Sequence, residues 1–285
     1  MICIAEADIL PPPQRPRLPT RDDRYDWIVT DDGSRTLVDN SLGETYHSGC
    51  GAHAESWCVY LINSGVAERL VSRKPTRVLE YGFGTGTAFF LTAAFAESAG
   101  CPLSYTALEN NLLPSGMLAD LPLEANFLAV ADTLPLARAP ADDRAAFTRG
   151  IVEQLESLKK GTCELLSELE REFKHTQVAG QVHRCDVSKQ IELTLVLDDA
   201  TQFSTNEDER FNAIYFDPFS PDTNPELWTP EVFRCCHALL HQGGTLTSYC
   251  VKGTVRRDLA LAGFEIEKLR GPPGGKREVL LAKKT

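Results

Sequence analysis

The chain has 285 residues, 42% of them hydrophobic and 24% charged, with a formal net charge of −11. Chains of this length bury roughly 75% of the surface their unfolded form exposes, so a core forms without disulfide or metal staples. The composition excludes collagen-like, coiled-coil and wholly disordered chains, and the lack of any run of about 18 apolar residues excludes a membrane-spanning helix.

Residues 1–23 have no basic segment followed by an apolar one, so they do not read as a secretory signal, and Glu6 and Asp8 weigh against a transit peptide. Their prolines predict an extended, poorly ordered lead-in. Residues 24–50 alternate weakly around Gly33 and Gly43, which predicts a small β-element. Trp57, Leu61 and Val66 predict a single helix over 51–71. This N-terminal unit, 24–73, precedes a larger one, 74–285. Nine cysteines, odd in number and without a C-x-x-C pair, predict reduced thiols in a cytoplasmic protein rather than a disulfide framework or a metal site.

Arg77–Tyr81 is short and apolar, as buried parallel strands are. A glycine cluster follows, then an Ala- and Phe-rich helix from about Gly86 to Ser98. Strand, glycine turn and helix open a doubly wound α/β domain. Leu103–Leu108 predicts the next strand. An insertion at about 113–180 interrupts the rhythm with Pro114, Pro122, Pro135 and Pro140, then with a charged amphipathic helix from about Arg144 to His175. Ile151, Leu155, Leu158, Leu165, Leu166, Leu169 and Phe173 form its apolar side; it reads as a cap over a site or as a structural flap. Further strands are predicted at Ile191–Leu197, Ala213–Phe216 and Thr245–Tyr249. Thr229 and Pro230 mark the start of a helix that runs to about His241 and stops at Gly243-Gly244. A short helix at Val255–Ala262 and two strands, Phe264–Leu269 and Val279–Ala282, which can pair as a hairpin, complete seven strands.

Chemistry-bearing residues fall at the strand ends, where open α/β sheets bind ligands. Glu80 leads into Gly82-Phe83-Gly84-Thr85-Gly86, a turn that lets the backbone approach a ligand closely. Its G-x-G-x-G spacing suits S-adenosylmethionine better than a dinucleotide, which wants G-x-G-x-x-G. Glu109, 23 residues past Gly86, can accept from both ribose hydroxyls. Asp199 ends the third strand, where a carboxylate can meet the adenine amino group; the adjacent Asp198 leaves that choice open. Asp217-Pro218-Phe219-Ser220-Pro221 places an acid and an aromatic ring on a rigid loop, with Trp228 beyond, either as a wall of the site or as a core residue. Residues 251–285 carry +5 and the rest of the chain −16. An acidic total argues against a nucleic-acid partner, but a basic tail allows a local patch.

The motifs in this order resemble the methyltransferase module of the MnmC/MnmD family. The resemblance rests on Gly82–Gly86, Glu109, Asp217–Trp228, Gly243-Gly244, Val255–Phe264 and Lys276-Arg277-Glu278, with Gly43–Ser48 matching the family's N-terminal segment. Pro218 stands where the family has a small residue, and Gly271–Gly275 departs from its usual late loop.

The resemblance implies a class I S-adenosylmethionine-dependent methyltransferase fold, Rossmann-like, with a seven-stranded, mostly parallel sheet. It implies a stand-alone enzyme, without FAD, that methylates 5-aminomethyl(-2-thio)uridine at the tRNA wobble position. Cofactor contacts then fall to Glu80, Gly82, Phe83, Gly84, Gly86, Glu109, Asp199, Asp217 and Phe219. Asp217 would be the proton acceptor for the amine, or alternatively only a ligand. Tyr46, Phe219 and Trp228 would stack on the base, and Arg256, Arg257, Lys276 and Arg277 would meet phosphates of the anticodon region. No metal, membrane or stable protein partner is expected. The rival readings are a small-molecule amine methyltransferase or aminopropyltransferase of the same fold, and a non-catalytic RNA- or nucleotide-binding relative.

Overall fold

The structure, a computed structural model, describes residues 15–124, 127, 144–173, 180–205 and 209–285. Its N-terminal part is a four-stranded antiparallel sheet in the order β1-β2-β3-β4: β1 (Arg17–Pro19), β2 (Tyr25–Val29), β3 (Arg35–Asp39) and β4 (Glu44–Thr45). Within the lead-in expected over 1–23 to be extended and poorly ordered, Arg17–Pro19 is extended but ordered by pairing with β2; residues 1–14 lie outside the described residues. Tyr25, Trp27 and Leu37 turn inward and join the main core.

The single helix expected over 51–71 is broken. It consists of α1 (Ala52–Glu55), a π-turn (Ser56–Ile62) and, after Gly65 at φ 80°, α2 (Val66–Val71). The apolar spacing fits a helical period, but the backbone widens to five-residue bonding: Asn63 N–H donates to the Cys58 carbonyl at 3.1 Å.

The remaining elements are β5 (Thr76–Tyr81), α3 (Thr87–Ala99), β6 (Leu103–Glu109), α4 (Ser115–Ala119), α5 (Arg144–Phe173), β7 (Gln181–Asp186), β8 (Ile191–Leu197), β9 (Phe211–Phe216), α6 (Pro230–Leu239), β10 (Leu240–Ser248), α7 (Gly253–Leu261), β11 (Glu265–Arg270) and β12 (Glu278–Lys283). They build one eight-stranded sheet in the order β11-β12-β10-β9-β5-β6-β8-β7. The five central strands run parallel, and β12 and β7 are antiparallel to their neighbours. From β5 the chain builds outward through β6 and β8, then returns to β5's other side with β9 and β10. The order therefore reverses between β5 and β9, and such a switch point is where this architecture opens a crevice.

The eighth strand, β7, was not expected. Its residues alternate between half-buried and exposed, none is buried, and Val182 is 58% exposed, so it offers no apolar signal. Strand β5 shows the opposite pattern, buried at Val78, Leu79, Glu80 and Tyr81. Helix α3 is buried almost all round, with Phe89, Phe90 and Phe95 at 0% exposure, because the sheet and α5 enclose it. Ile151, Leu155, Leu158, Leu166 and Leu169 of α5 are buried in this core. Of the two readings of that helix, cap or structural layer, the second is observed, since no described residue of α5 lines the cleft. Residues 174 and 175, at the expected end of the helix, lie outside the described residues.

Thr229 caps α6 as expected, its hydroxyl accepting from Val232 N–H at 3.3 Å, with Pro230 in the first turn. The helix stops at Leu239 rather than His241. Gly243 and Gly244 lie inside β10, where the pairing with β9 shifts register between Leu240 and Thr245. No described helix is long and apolar enough to cross a membrane.

Candidate functional site

A cavity of about 600 Å³ opens at the carboxyl ends of β5, β6, β8 and β9, and residues 42–48 of the small sheet form its outer wall. Gly82 and Gly84, at φ 88° and 52°, leave β5 in the left-handed region that favours glycine. A Cβ on Gly82 would stand 2.9 Å from the Asp217 carbonyl, and one on Gly84 3.0 Å from the Tyr46 ring. Both glycines and Phe83 line the cavity. Gly86 does not: a Cβ there would strike the Phe83 and Phe90 rings at 2.9 Å, so its part is to let the turn enter α3.

Glu109, at the end of β6, accepts from Gly84 N–H at 3.1 Å and from Asn110 and Asn111 N–H at 2.9 and 2.8 Å. It therefore ties the glycine loop to the second strand while facing the cavity. Burial pushes its carboxyl up, against those three donors. Asp198 and Asp199 both line the cavity. Asp198 accepts from Asp199 N–H, and Asp199 caps a short 3₁₀ turn by accepting from Thr201 N–H at 2.9 Å, so the geometry does not separate them.

Asp217 is held from below. Its backbone N–H donates to the Tyr81 carbonyl at 3.1 Å, and the buried Tyr60 hydroxyl donates to Oδ1. Burial, then the charge of Glu55, pushes the Asp217 carboxyl well above the usual range; the Tyr60 hydroxyl and the Lys276 ammonium oppose this. Glu80 is 1% exposed, and its Oε2 makes no hydrogen bond of normal geometry among the described residues, the buried Tyr105 hydroxyl being the polar group beside its carboxyl. Burial raises it strongly, and the Asp217 charge adds to the rise.

Phe219 faces the cavity with its ring 5.1 Å from Tyr46, edge to face. Trp228 does not face it, which corrects the stacking role. The indole is 7% exposed, packs on Phe216 at 5.0 Å, and donates Nε1–H to the Phe219 carbonyl at 2.9 Å. It fixes the loop instead, because a large aromatic ring at an element edge gains most by burial. The expected basic group also divides. Lys276 enters the acidic cavity, its ammonium 4.0 Å over the Tyr249 ring. Arg256 and Arg257 line a separate shallow groove with Lys252 and Lys268. Arg277 is exposed and lines neither.

Sequence reasoning missed Glu44, Glu55, Tyr60 and Tyr249. Glu44 accepts from Ser220 N–H at 3.1 Å and from the Ser220 and Thr223 hydroxyls. Glu44 stood in a recognised segment, whereas Glu55 and Tyr60 were hidden inside the assumed helix.

The donor set suits a cationic ligand. Eight acidic side chains line the cavity, against Arg24 and Lys276. The Glu80 Oε2, short of a well-formed hydrogen bond, is an acceptor that an ammonium would satisfy, and the Gly82–Gly84 cradle leaves no room for a side chain.

Residues 163–285 match the family described as S-adenosyl-L-methionine-dependent methyltransferase. The chain is 28% identical over 258 residues to the tRNA 5-methylaminomethyl-2-thiouridine biosynthesis bifunctional protein MnmC of Burkholderia thailandensis, covering 89% of this chain and 34% of that protein. It is 32% identical over 243 residues to the protein of the same name from Paraburkholderia phymatum, covering 84% of this chain and 32% of that one. These matches together support an MnmC-like methyltransferase module. The chain spans about a third of the length of the curated relatives it matches. The crystal structure of MnmC2 from Aquifex aeolicus superposes on the MnmC-like module with a TM-score of 0.62 and 24% identity, over 95% of this chain and 71% of that one, which supports a class I methyltransferase fold.

Proposed function

We propose that this module transfers a methyl group from S-adenosylmethionine to the primary amine of 5-aminomethyl(-2-thio)uridine at the tRNA wobble position. The observation that carries the reading is the cluster of buried acids at the switch point, with Asp217 at its centre, in a chain similar to MnmC. When bound, the cofactor supplies a methyl group on a sulfonium, open to in-line attack. Gly82 and Gly84 would take its backbone-facing side, Glu109 its ribose, Asp198 or Asp199 its adenine, and Glu80 its ammonium.

An alkyl amine resembles lysine, with a pKa of about 10.4, and enters protonated, without a lone pair. Asp217 accepts an N–H proton and orients the nitrogen. Tyr46 and Phe219 form an aromatic face for a splayed-out base. Pro218 and the Trp228 anchor hold Asp217 and Phe219 on one rigid loop, and fixing the reactants in line is worth a large part of the barrier. Arg256 and Arg257 meet phosphates near the anticodon.

Transfer of a labelled methyl group to tRNA carrying 5-aminomethyluridine tests the reading. Labelled tRNA supports it. Cofactor binding with label appearing only on free small amines favours the small-molecule reading, which the acidic cavity would also suit.

A further inference from the structure

Continuous π-helix is rare and concentrates at functional sites. In an α-helix, residues five apart point about 140° away from each other, but the five-residue bonding of a π-helix brings them back to one side. Glu55 and Tyr60 are five apart, the first at the end of α1, capping the π-turn, and the second within it. Glu55, 6% exposed, lines the cavity, with Oε2 fixed by Ser48 N–H at 2.6 Å. Tyr60, at 0% exposure, donates to Asp217 Oδ1. One stretch of helix thus delivers Tyr60 to the Asp217 carboxyl and Glu55 to the same cavity.

We propose that Tyr60 and Glu55 are positioning residues for Asp217: Tyr60 holds the carboxyl through Oδ1, and Glu55 is a second acid that competes with it for one proton. The inference rests on the amine-methylation reading above. An amine entering as R–CH2–NH3+ passes one N–H proton to the Asp217 carboxylate, leaving R–CH2–NH2 and a neutral carboxyl. The nitrogen lone pair then forms the N–C bond as the C–S bond of the methylsulfonium donor breaks, giving a thioether and R–CH2–NH2+–CH3. One proton per turnover leaves through Asp217.

Every charged group facing Asp217 has a definite sign. The carboxylate of Glu55, from the end of α1, disfavours its ionised form, and the Asp217 charge in turn raises Glu80, from β5. Tyr60, from the π-turn, and Lys276, from the loop before β12, favour it. Tyr249 gives its hydroxyl to the Pro218 carbonyl at 3.0 Å rather than to Asp217.

Two isosteric variants therefore move the acid limb of the methyl-transfer pH profile in opposite directions. Glu55→Gln keeps an acceptor for Ser48 and removes the charge; the limb moves down by about one pH unit, the size a neighbouring charge commonly gives. Tyr60→Phe keeps the ring against Tyr215 and removes the hydroxyl. The limb moves up, and kcat falls about tenfold, the effect of about 1.4 kcal/mol, with KM for the donor unchanged.

The same midpoints are read without substrate from the side-chain carboxyl ¹³C signal of Asp217, identified by its loss in Asp217→Asn. Opposite shifts of that signal in the two folded variants establish the inference even if tRNA is not methylated, in which case only the proposed substrate fails. Unmoved midpoints, or shifts in one direction for both variants, overturn it even if tRNA is methylated.

Discussion

The cleft and the α7–β11 groove carry opposite charges and handle them in opposite ways. In the cleft, carboxyls are desolvated, and burial raises Glu55, Glu80, Glu109 and Asp217 above their ordinary range. In the groove, Lys252 and Lys268 are solvated and lightly paired, with Asp222 and Glu278 at 2.7 Å. Buried charge acts strongly at short range, where the effective dielectric is low. Solvated charge acts at long range and is screened by salt. Under the proposed function the contrast is a division of labour, with the acids handling a small cation and the bases a polyanion.

The largest test is steric. Gly84→Val puts a side chain on Tyr46 at a φ of 52°, so calorimetry should show loss of S-adenosylmethionine binding; unchanged affinity would break the assigned cradle. Next, Asp217→Ala should lower methyl transfer by about 10²–10⁴, the usual worth of a general base, with cofactor affinity kept within several-fold. Equal loss of both would make Asp217 a cofactor ligand. Third, Arg256→Ala with Arg257→Ala should flatten the log–log salt dependence of tRNA binding by about 1.4, from roughly 0.7 per single-strand phosphate contact. The cofactor should bind as before, and loss of cofactor binding would blur the two regions.

The smallest effect concerns stability. An acid raised by folding is held most favourably below its unfolded pKa, and that advantage is lost as pH rises through its folded value. Glu80→Gln should therefore raise Tm at neutral pH by about 2–4 °C, the shift that 1 kcal/mol gives a chain of this size. The gain should vanish near pH 4, and a gain independent of pH would refute a charge origin. Charge-removing changes in the groove should stay within about 0.5 kcal/mol.

The sequence carried the rim well. Strand β5, the glycine turn, Glu109 and Asp217 lie where local pattern and spacing put them, because a buried parallel strand and a positive-φ turn leave strong local signatures. The wall and floor were less legible. Strand β7 has no buried face, and the π-turn looks α-helical at the level of apolar spacing. Glu55 and Tyr60 acquire meaning only through Asp217, 157 residues beyond Tyr60 in the chain. Trp228 could be read as wall or core, and only packing on Phe216 decides for core.

Glu44 grips Ser220 and Thr223 from 176 and 179 residues away, fastening the small sheet to the loop that carries Asp217 and Phe219. Neither half of the polypeptide holds a finished cleft by itself. Competence therefore requires both sheets, folded and in contact. Loosening that grip would leave Glu80 and Glu109 on their strands while the enclosure came apart.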